Sequence, residues 1–246
     1  MTVADRLLEL AHSDERAVLF TVVEGPRPGA KLLVLLEHDG ETVGDAPLSL
    51  APLAREIRSN GMHEHEGLRV FAEVYGPPPR LVVIGAVDTA EALCAAAKLL
   101  GWRTICVDAR AAFATPERIP SADELVVEWP DVALAGIAAD HGTAIIVLTH
   151  DLKFDVPALE AALRTEAFYV AAIGSRKTQA KRREELVAAG LTVAELDRIH
   201  GPAGLDLGAD SPAETAVSIL SEALAVRAGR DGTPLRTAPH RIHVEA

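Results

Sequence analysis

The sequence predicts an α/β protein in two parts, a small α+β unit followed by a larger domain built on a mostly parallel sheet. Two observations carry this. Beyond residue 80, short runs that are apolar at every position alternate with segments of helical spacing. Strands buried on both faces, with helical crossovers between them, leave that pattern when they form a parallel sheet. At residues 76–79 the chain reads Gly-Pro-Pro-Pro. Neither a helix nor a central strand accommodates that run, so a stiff extended linker is expected there. The expected parts are residues 1–75 for the small unit, 76–80 for the linker, 81–228 for the larger domain and 229–246 for a polar tail.

In the small unit Val3, Leu7, Leu8, Leu10 and Ala11 recur at helical spacing, which makes residues 3–11 a helix. Residues 18–23 and 31–36 are apolar β-rich runs, and Asp39-Gly40 is a turn signal before a third strand at Thr42-Val43. A short helix near 51–58 and a strand near 68–75 complete the unit. In the larger domain, strands are expected at 81–86, 104–108, 125–128, 144–149 and 169–173. Helices are expected at 88–100 and from about 157 to 163. Thr192 with Glu195, and Ser211 with Glu214, fit the capping box, in which each side chain bonds the other residue's backbone amide. Pro212 stands at the first helical position, where its missing N–H costs nothing. The helix it opens, 212–227, carries an apolar stripe of Ala216, Val217, Ile219, Leu220, Ala223 and Leu224.

Composition excludes several classes. Of 246 residues 49% are hydrophobic, enough to fill a packed core, yet no apolar run approaches the length of about 20 residues needed to cross a bilayer. The first sixteen residues lack a signal-peptide core, and a cytoplasmic protein without membrane contact is expected. A net charge of −12 argues against nucleic-acid binding, which needs a basic surface. Cys94 and Cys106 match neither a zinc nor a disulfide spacing and read as buried small hydrophobes.

Four segments could carry chemistry. The turn after the first strand of the larger domain, Gly85-Ala86-Val87-Asp88-Thr89-Ala90, partly fits the G-x-G-x-x-G/A fingerprint of a Rossmann-like domain. Gly85 and Ala90 suit it, but Val87 puts methyl groups where a pyrophosphate would lie. Asp108 follows Gly85 by 23 residues, near where a carboxylate holds a ribose. An NAD(P) or other nucleotide site and a Rossmann-like fold that has lost its site are both open readings. The second segment is Gly174-Ser175-Arg176-Lys177-Thr178, between a strand and a helix. Free amides at a helix start, a glycine and two hydroxyls make an anion site. Arg176 and Lys177 sit at the end of the macrodipole that disfavours cations, so an anion there would offset them. The alternative is a solvated basic face continuing through Lys181, Arg182 and Arg183. The third segment holds His150 and Asp151 at the carboxyl end of a strand, an acid/base pair or else, with Asp155, plain capping and turn formation. The fourth is the loop of residues 200–208, whose His200 and Asp206 could form a site wall. No catalytic residue and no metal ligand is assigned.

Together these segments resemble the XdhC/CoxI family. The resemblance runs from residue 81 to 230 and is most specific in VLTHDLKFDVPALEAAL (147–163), AAIGSRKTQAKR (171–182) and RIHGPAGLDLGADSPAETAVSILSEALAVR (198–227). DARAAFATPERIP (108–120) also fits, and VEGPRPGAK (23–31) resembles the family's first signature in the small unit. The resemblance implies an accessory protein, not an enzyme. It would bind the molybdenum cofactor, a pterin carrying a dithiolene-held metal and a phosphate, or its partner, a molybdenum hydroxylase such as xanthine dehydrogenase. Ser175, Arg176 and Lys177 would then hold the phosphate, and His150, Asp151 and His200 would frame the rest of the ligand. A homodimer is the default assembly. The alternatives are a nucleotide-dependent oxidoreductase and a degenerate, non-catalytic interaction subunit. The sequence departs from the family after Val43-Gly44, where Asp45-Ala46-Pro47-Leu48-Ser49-Leu50 replaces a glycine-rich segment ending in cysteine. Val87 is the second departure.

Overall fold

The computed structural model describes residues 1–13, 15–36 and 40–238. They fall into two compact units. One comprises residues 1–77 with the described tail from residue 233, the other residues 78–232. No helix among the described residues is long and apolar enough to cross a membrane.

The first unit opens with α1 (Val3–Leu10), capped by reciprocal bonds between Thr2 and Asp5. Five antiparallel strands follow: β1 (Ala17–Glu24), β2 (Lys31–Leu35), β3 (Thr42–Gly44), β4 (Gly61–His65) and β5 (Leu68–Tyr75), in the order β3-β2-β1-β5-β4. Because side chains alternate along a strand, β1 and β2 feed two cores. Val18, Phe20, Leu32 and Val34 face one. Leu19, Leu33 and Leu35 face the other, against Leu10 of α1. The helix expected at 51–58 is instead a pair of 3₁₀ turns, Leu48–Leu50 and Pro52–Arg55. Pro52 has no N–H with which to continue the first turn. β4 carries no sequence signal, since Gly-Met-His-Glu-His shows no apolar alternation. Asp39 of the expected turn lies outside the described residues, as does the tail beyond residue 238.

The second unit runs β6 (Arg80–Ile84), α2 (Asp88–Leu99), β7 (Arg103–Val107), β8 (Glu124–Val126), α3 (Pro130–Ile137), β9 (Thr143–Val147) and α4 (Leu152–Leu163). It continues with β10 (Tyr169–Ala172), α5 (Arg176–Ala188), α6 (Val193–Leu196), β11 (Ile199–His200) and α7 (Pro212–Arg227). All its strand pairs are parallel, in the order β11-β10-β9-β6-β7-β8. The chain builds outward from β6 to β8, then returns to lay β9 on the other side of β6. That is the Rossmann order, with its reversal between β6 and β9.

Each strand sends alternate side chains to opposite layers. Leu81, Val83, Cys106, Ala144 and Ile146 pack with α2 and α7, for example with Leu93, Ile219 and Ala223. Val82, Ile84, Ile145 and Val147 pack with α3, α4 and α5, for example with Leu134, Leu159 and Leu186. Cover on both faces is why these strands read as unbroken apolar runs. The capping boxes at Thr192 and Ser211 form as expected. α4 begins at Leu152, well before the proline expected to open it, because the Asp151 side chain accepts from the Lys153 N–H and starts the helix. Pro157 is then inside the helix, where its missing N–H deprives only the Lys153 carbonyl of a helical donor. α3 and β11 lie outside the sequence expectation; α3 has Pro130 at its first position, directly after Trp129.

The layering makes a stability prediction. Ile145 is fully buried, whereas Leu99 is 89% exposed. Ile145→Ala should lower the free energy of unfolding by about 2–5 kcal/mol. Leu99→Ala should change it by less than about 0.5 kcal/mol, with urea denaturation measuring both.

Candidate functional site

Ligands of open parallel sheets bind outside the carboxyl ends of the strands, at the place where strand order reverses. Here that place lies between the turn after β6 and the turn after β9. Gly85 has φ +109°, and a Cβ on it would stand 2.9 Å from Thr149 Cγ2. Glycine is therefore required by both backbone and neighbour. The next amide, Ala86 N–H, donates to Asp108 Oδ2 at 2.9 Å. Arg110 closes on the same carboxylate, with Nε at 2.9 Å from Oδ1, Nη2 at 2.8 Å from Oδ2, and its own amide at 2.9 Å from Oδ1. Asp108 is 4% exposed. Burial pushes its carboxyl up, but the Arg110 guanidinium and the two amides outweigh burial and hold it below the ordinary range. The carboxylate placed to hold a ribose is thus bonded within the protein. Val87 packs against the α2 core and Asp88 stands exposed at the mouth, 4.0 Å from Arg118.

On the other side of the reversal, a buried ion pair ties four elements together. Arg182 from α5 and Asp155 from α4 are 1% and 0% exposed. Arg182 Nε donates to Asp155 Oδ2 at 2.6 Å, and its Nη2 donates to the Thr149 carbonyl at 3.0 Å. Nη1 donates to the Ile173 carbonyl after β10, and the Thr149 hydroxyl donates to Asp155 Oδ1. Burial drives the Asp155 carboxyl above its ordinary range, against the lowering pull of Thr149 and Arg182. Two expectations are corrected here. Arg182 does not belong to a solvated basic face, and Asp155 is not a cap; its partner is 27 positions away in sequence. Asp151 is the cap. His150 and Asp151 are exposed side by side, and no hydrogen bond joins them among the described residues.

The turn after β10 keeps its donors open. Gly174 has φ +121°, and a Cβ on it would press on Thr178 and on Arg182 Nη1 at 3.3–3.4 Å. Ser175 caps α5, accepting from the Thr178 amide at 3.2 Å and lying 3.0 Å from the Thr178 hydroxyl. The amides of Arg176 and Lys177 have no acceptor among the described residues. Their side chains are exposed and make no ion pair among those residues. Two cations without an ion pair among the described residues and two open amides share this helical turn, a donor set of the kind that anions bind.

His200 ends β11 at the same edge of the sheet. Its Nδ1 lies 3.1 Å from Glu222 Oε1, and its ring lies 4.8 Å from that of Tyr169, with the planes tilted by 42°. Glu222, from α7, also accepts from the Tyr169 hydroxyl at 2.5 Å and the Gly204 amide at 2.7 Å. Burial raises the Glu222 carboxyl, but His200, Tyr169 and the Gly204 amide outweigh it, and the group sits below its ordinary range. The buried Tyr169 hydroxyl is pushed up, by burial first and by Glu222 second. Sequence reasoning misses Tyr169 and Glu222. Each fits its element's pattern, one as a strand core residue and the other as a polar helix position. Asp206 is exposed and bonds to none of the other candidates. Its loop is tied back to α7 through Ser218 Oγ and the Leu205 carbonyl at 2.6 Å.

No cluster of three or more His, Cys, Asp or Glu able to hold a metal ion occurs among the described residues. Cys94 and Cys106 are buried and unpaired. Burial, with Glu91 second, pushes the Cys94 thiol up to about 12. The Cys106 thiol is raised by burial as well.

Residues 81–223 match the family described as the XdhC Rossmann domain. Over 184 residues the chain is 27% identical to a probable xanthine dehydrogenase subunit from Bacillus subtilis (strain 168), spanning 74% of this chain and 53% of that protein. Over 95 residues it is 36% identical to the molybdenum cofactor insertion chaperone PaoD of Escherichia coli (strain K12), spanning 39% of this chain and 30% of that protein. The chain thus spans about half the length of these curated relatives, or less. A crystal structure described as a xanthine dehydrogenase from Bacillus halodurans is similar with a TM-score of 0.55 at 18% identity, covering 97% of this chain and 98% of that one. At that identity the likeness is one of fold.

The geometry makes two predictions. Arg182→Leu leaves Asp155 buried without its cation and should destabilise the second unit by about 3–5 kcal/mol in chemical denaturation. The double variant Asp155→Leu/Arg182→Leu should be less destabilised than that single one. The lowered carboxyls of Asp108 and Glu222 stabilise the fold in their ionised forms. Their contribution is complete above the ordinary values of 3.8 and 4.5 and is lost as pH falls through the lower folded values. Melting temperatures recorded across the acid range should therefore fall less steeply for Glu222→Gln than for the unaltered chain.

Proposed function

The chain belongs to the XdhC family, and from that premise we propose that it serves the maturation of a molybdenum hydroxylase of the xanthine dehydrogenase type. In this reading it binds the molybdenum cofactor as cargo and passes it to the partner enzyme in the cytoplasm. The observation that carries the proposal is the turn after β10, with the open amides of Arg176 and Lys177 and two cations unpaired among the described residues. A phosphate monoester offers three acceptor oxygens and up to two negative charges, which matches that donor set. Ser175 shapes the turn as the cap of α5, and Arg176 and Lys177 supply the charge. His150, Asp151 and His200 stand at the ends of β9 and β11, on either side of β10, and would border the remainder of the ligand. The names of two relatives, one a cofactor insertion chaperone and the other a xanthine dehydrogenase component, support the same reading.

The residues fit the phosphate end of that cargo better than its metal end. Both cysteines are buried in the sheet-and-helix core, and the segment after Val43-Gly44 brings no thiol. The work assigned to this chain is therefore holding and releasing, with no bond made or broken by its side chains. An NAD(P) site has weaker support. Asp108 is committed to Arg110 and to the Ala86 amide, and Val87 fills the place where the fingerprint has glycine.

An anaerobic titration of the purified chain with molybdenum cofactor should show saturable binding, tighter than that of NAD(P) in a parallel titration. Arg176→Ala should weaken cofactor binding by about 1.5–3 kcal/mol, the worth of a charged hydrogen bond. Unchanged affinity in both Arg176→Ala and Lys177→Ala would remove the phosphate assignment.

A further inference from the structure

A second part of the same sheet edge carries a cluster that the phosphate reading does not use. Of the chain's five phenylalanines and two tryptophans, Phe113, Phe154 and Trp129 come from the segments that follow β7, β9 and β8. The Trp129 and Phe154 rings lie 5.2 Å apart with their planes 30° from parallel. Lys153 Nζ stands 5.0 Å from the Trp129 ring centre and 5.8 Å from that of Phe154. The Arg110 guanidinium lies 4.0 Å over Phe113 and 5.8 Å from Phe154, and Asp108 grips its far edge. Arg118 approaches Phe113 from 4.9 Å. Trp129 nevertheless remains 39% exposed, although packing against the core would bury it.

We propose that this aromatic and cationic shelf is a stacking site for a flat heteroaromatic ring that carries a phosphate. Aromatic faces and guanidinium planes both stack on such rings, whatever the ring's hydrogen-bond pattern. The Arg110 plane is set in advance by the Asp108 carboxylate, which is 4% exposed, so a ligand need not order that side chain. Lys153 is exposed and brings its charge to the rings, where it can meet the phosphate. The shelf draws on the segments after β7 and β8 and, through Lys153 and Phe154, on the start of α4 after β9, whereas the Gly174 turn follows β10. The shelf shares no residue with the phosphate assignment at Gly174 and does not rest on it. Two sources share the ligand chemistry, a phosphorylated pterin and a nucleotide.

The test is calorimetric titration of the full chain with neopterin monophosphate, with cytidine 5′-monophosphate and with adenosine 5′-monophosphate. Saturable binding of at least one is expected. Binding of neopterin monophosphate alone assigns the shelf to the pterin, and binding of a nucleoside monophosphate assigns it to a nucleotide. Trp129→Ala should weaken the bound probe by about five- to a hundredfold, the range of one lost stacking contact. Lys153→Ala should weaken the phosphate esters but leave the unphosphorylated ring, neopterin or the nucleoside, unchanged. Trp129→Ala should also weaken the unphosphorylated ring, which carries no phosphate for the Gly174 turn, and this separates failure here from failure at that turn. Binding of none of the three probes overturns the proposal. So does unchanged affinity in Trp129→Ala and Phe154→Ala, each with the circular dichroism of the unaltered chain.

Discussion

The ion pair between Asp155 and Arg182 sets the shape of the ligand edge. Both side chains are essentially without solvent, and a buried pair repays its desolvation only when its remaining hydrogen-bonding groups are also met. Here they are. The Thr149 hydroxyl takes one carboxylate oxygen, and the Thr149 and Ile173 carbonyls take guanidinium donors. Those two carbonyls belong to the segments leaving β9 and β10, so one side chain fixes both turns relative to α4 and α5. The close packing of Gly174 against Arg182 Nη1 and of Gly85 against Thr149 follows from that arrangement. Within one helix the basic run is divided by direction: Arg182 points into the protein, while Arg176 and Lys177 stay at the surface.

That division explains why the two sides of the β6–β9 reversal differ. After β6, the amide that a phosphate would use is already bonded to Asp108, and Arg110 neutralises that carboxylate. An incoming pyrophosphate would have to displace an internal anion that is 4% exposed and held by four hydrogen bonds. After β10, the amides are open and the cations unpaired among the described residues. The same fold thus offers one turn satisfied by its own carboxylate and one with donors to spare. An anion gains charge-assisted hydrogen bonds at the second turn without breaking any.

The parallel sheet is legible in the sequence because burial on both faces leaves no polar position in β6, β9 or β10 to interrupt the apolar run, apart from their first residues. Helix starts are legible wherever a short polar side chain and a glutamate sit three apart, as at Thr192 and Ser211. α4 is harder, because Pro157 suggests a start while Asp151 supplies a stronger one. The site is legible by position and illegible by partnership. Gly85, Asp108, Gly174 and His200 stand at strand ends, where the fold rule puts ligands. The partners Arg182 and Glu222 stay hidden, because no local periodicity encodes a bond between residues 22 or 27 positions apart. Arg182 is hidden further by its basic neighbours, whose composition alone reads as solvated surface.

The thiol chemistry bears on how a cargo would leave. Cys94 and Cys106 lie in the core between β7 and α2, and burial holds both thiols protonated at neutral pH. A soft metal prefers thiolate, and the described residues hold no cluster that replaces it. On the proposed reading, the grip on the cofactor then comes from its phosphate, through the donors at the start of α5. Such contacts are exchanged one at a time with water or with a partner's side chains. The segment after Val43-Gly44 fits this reading, since Asp45-Ala46-Pro47-Leu48-Ser49-Leu50 supplies no thiol.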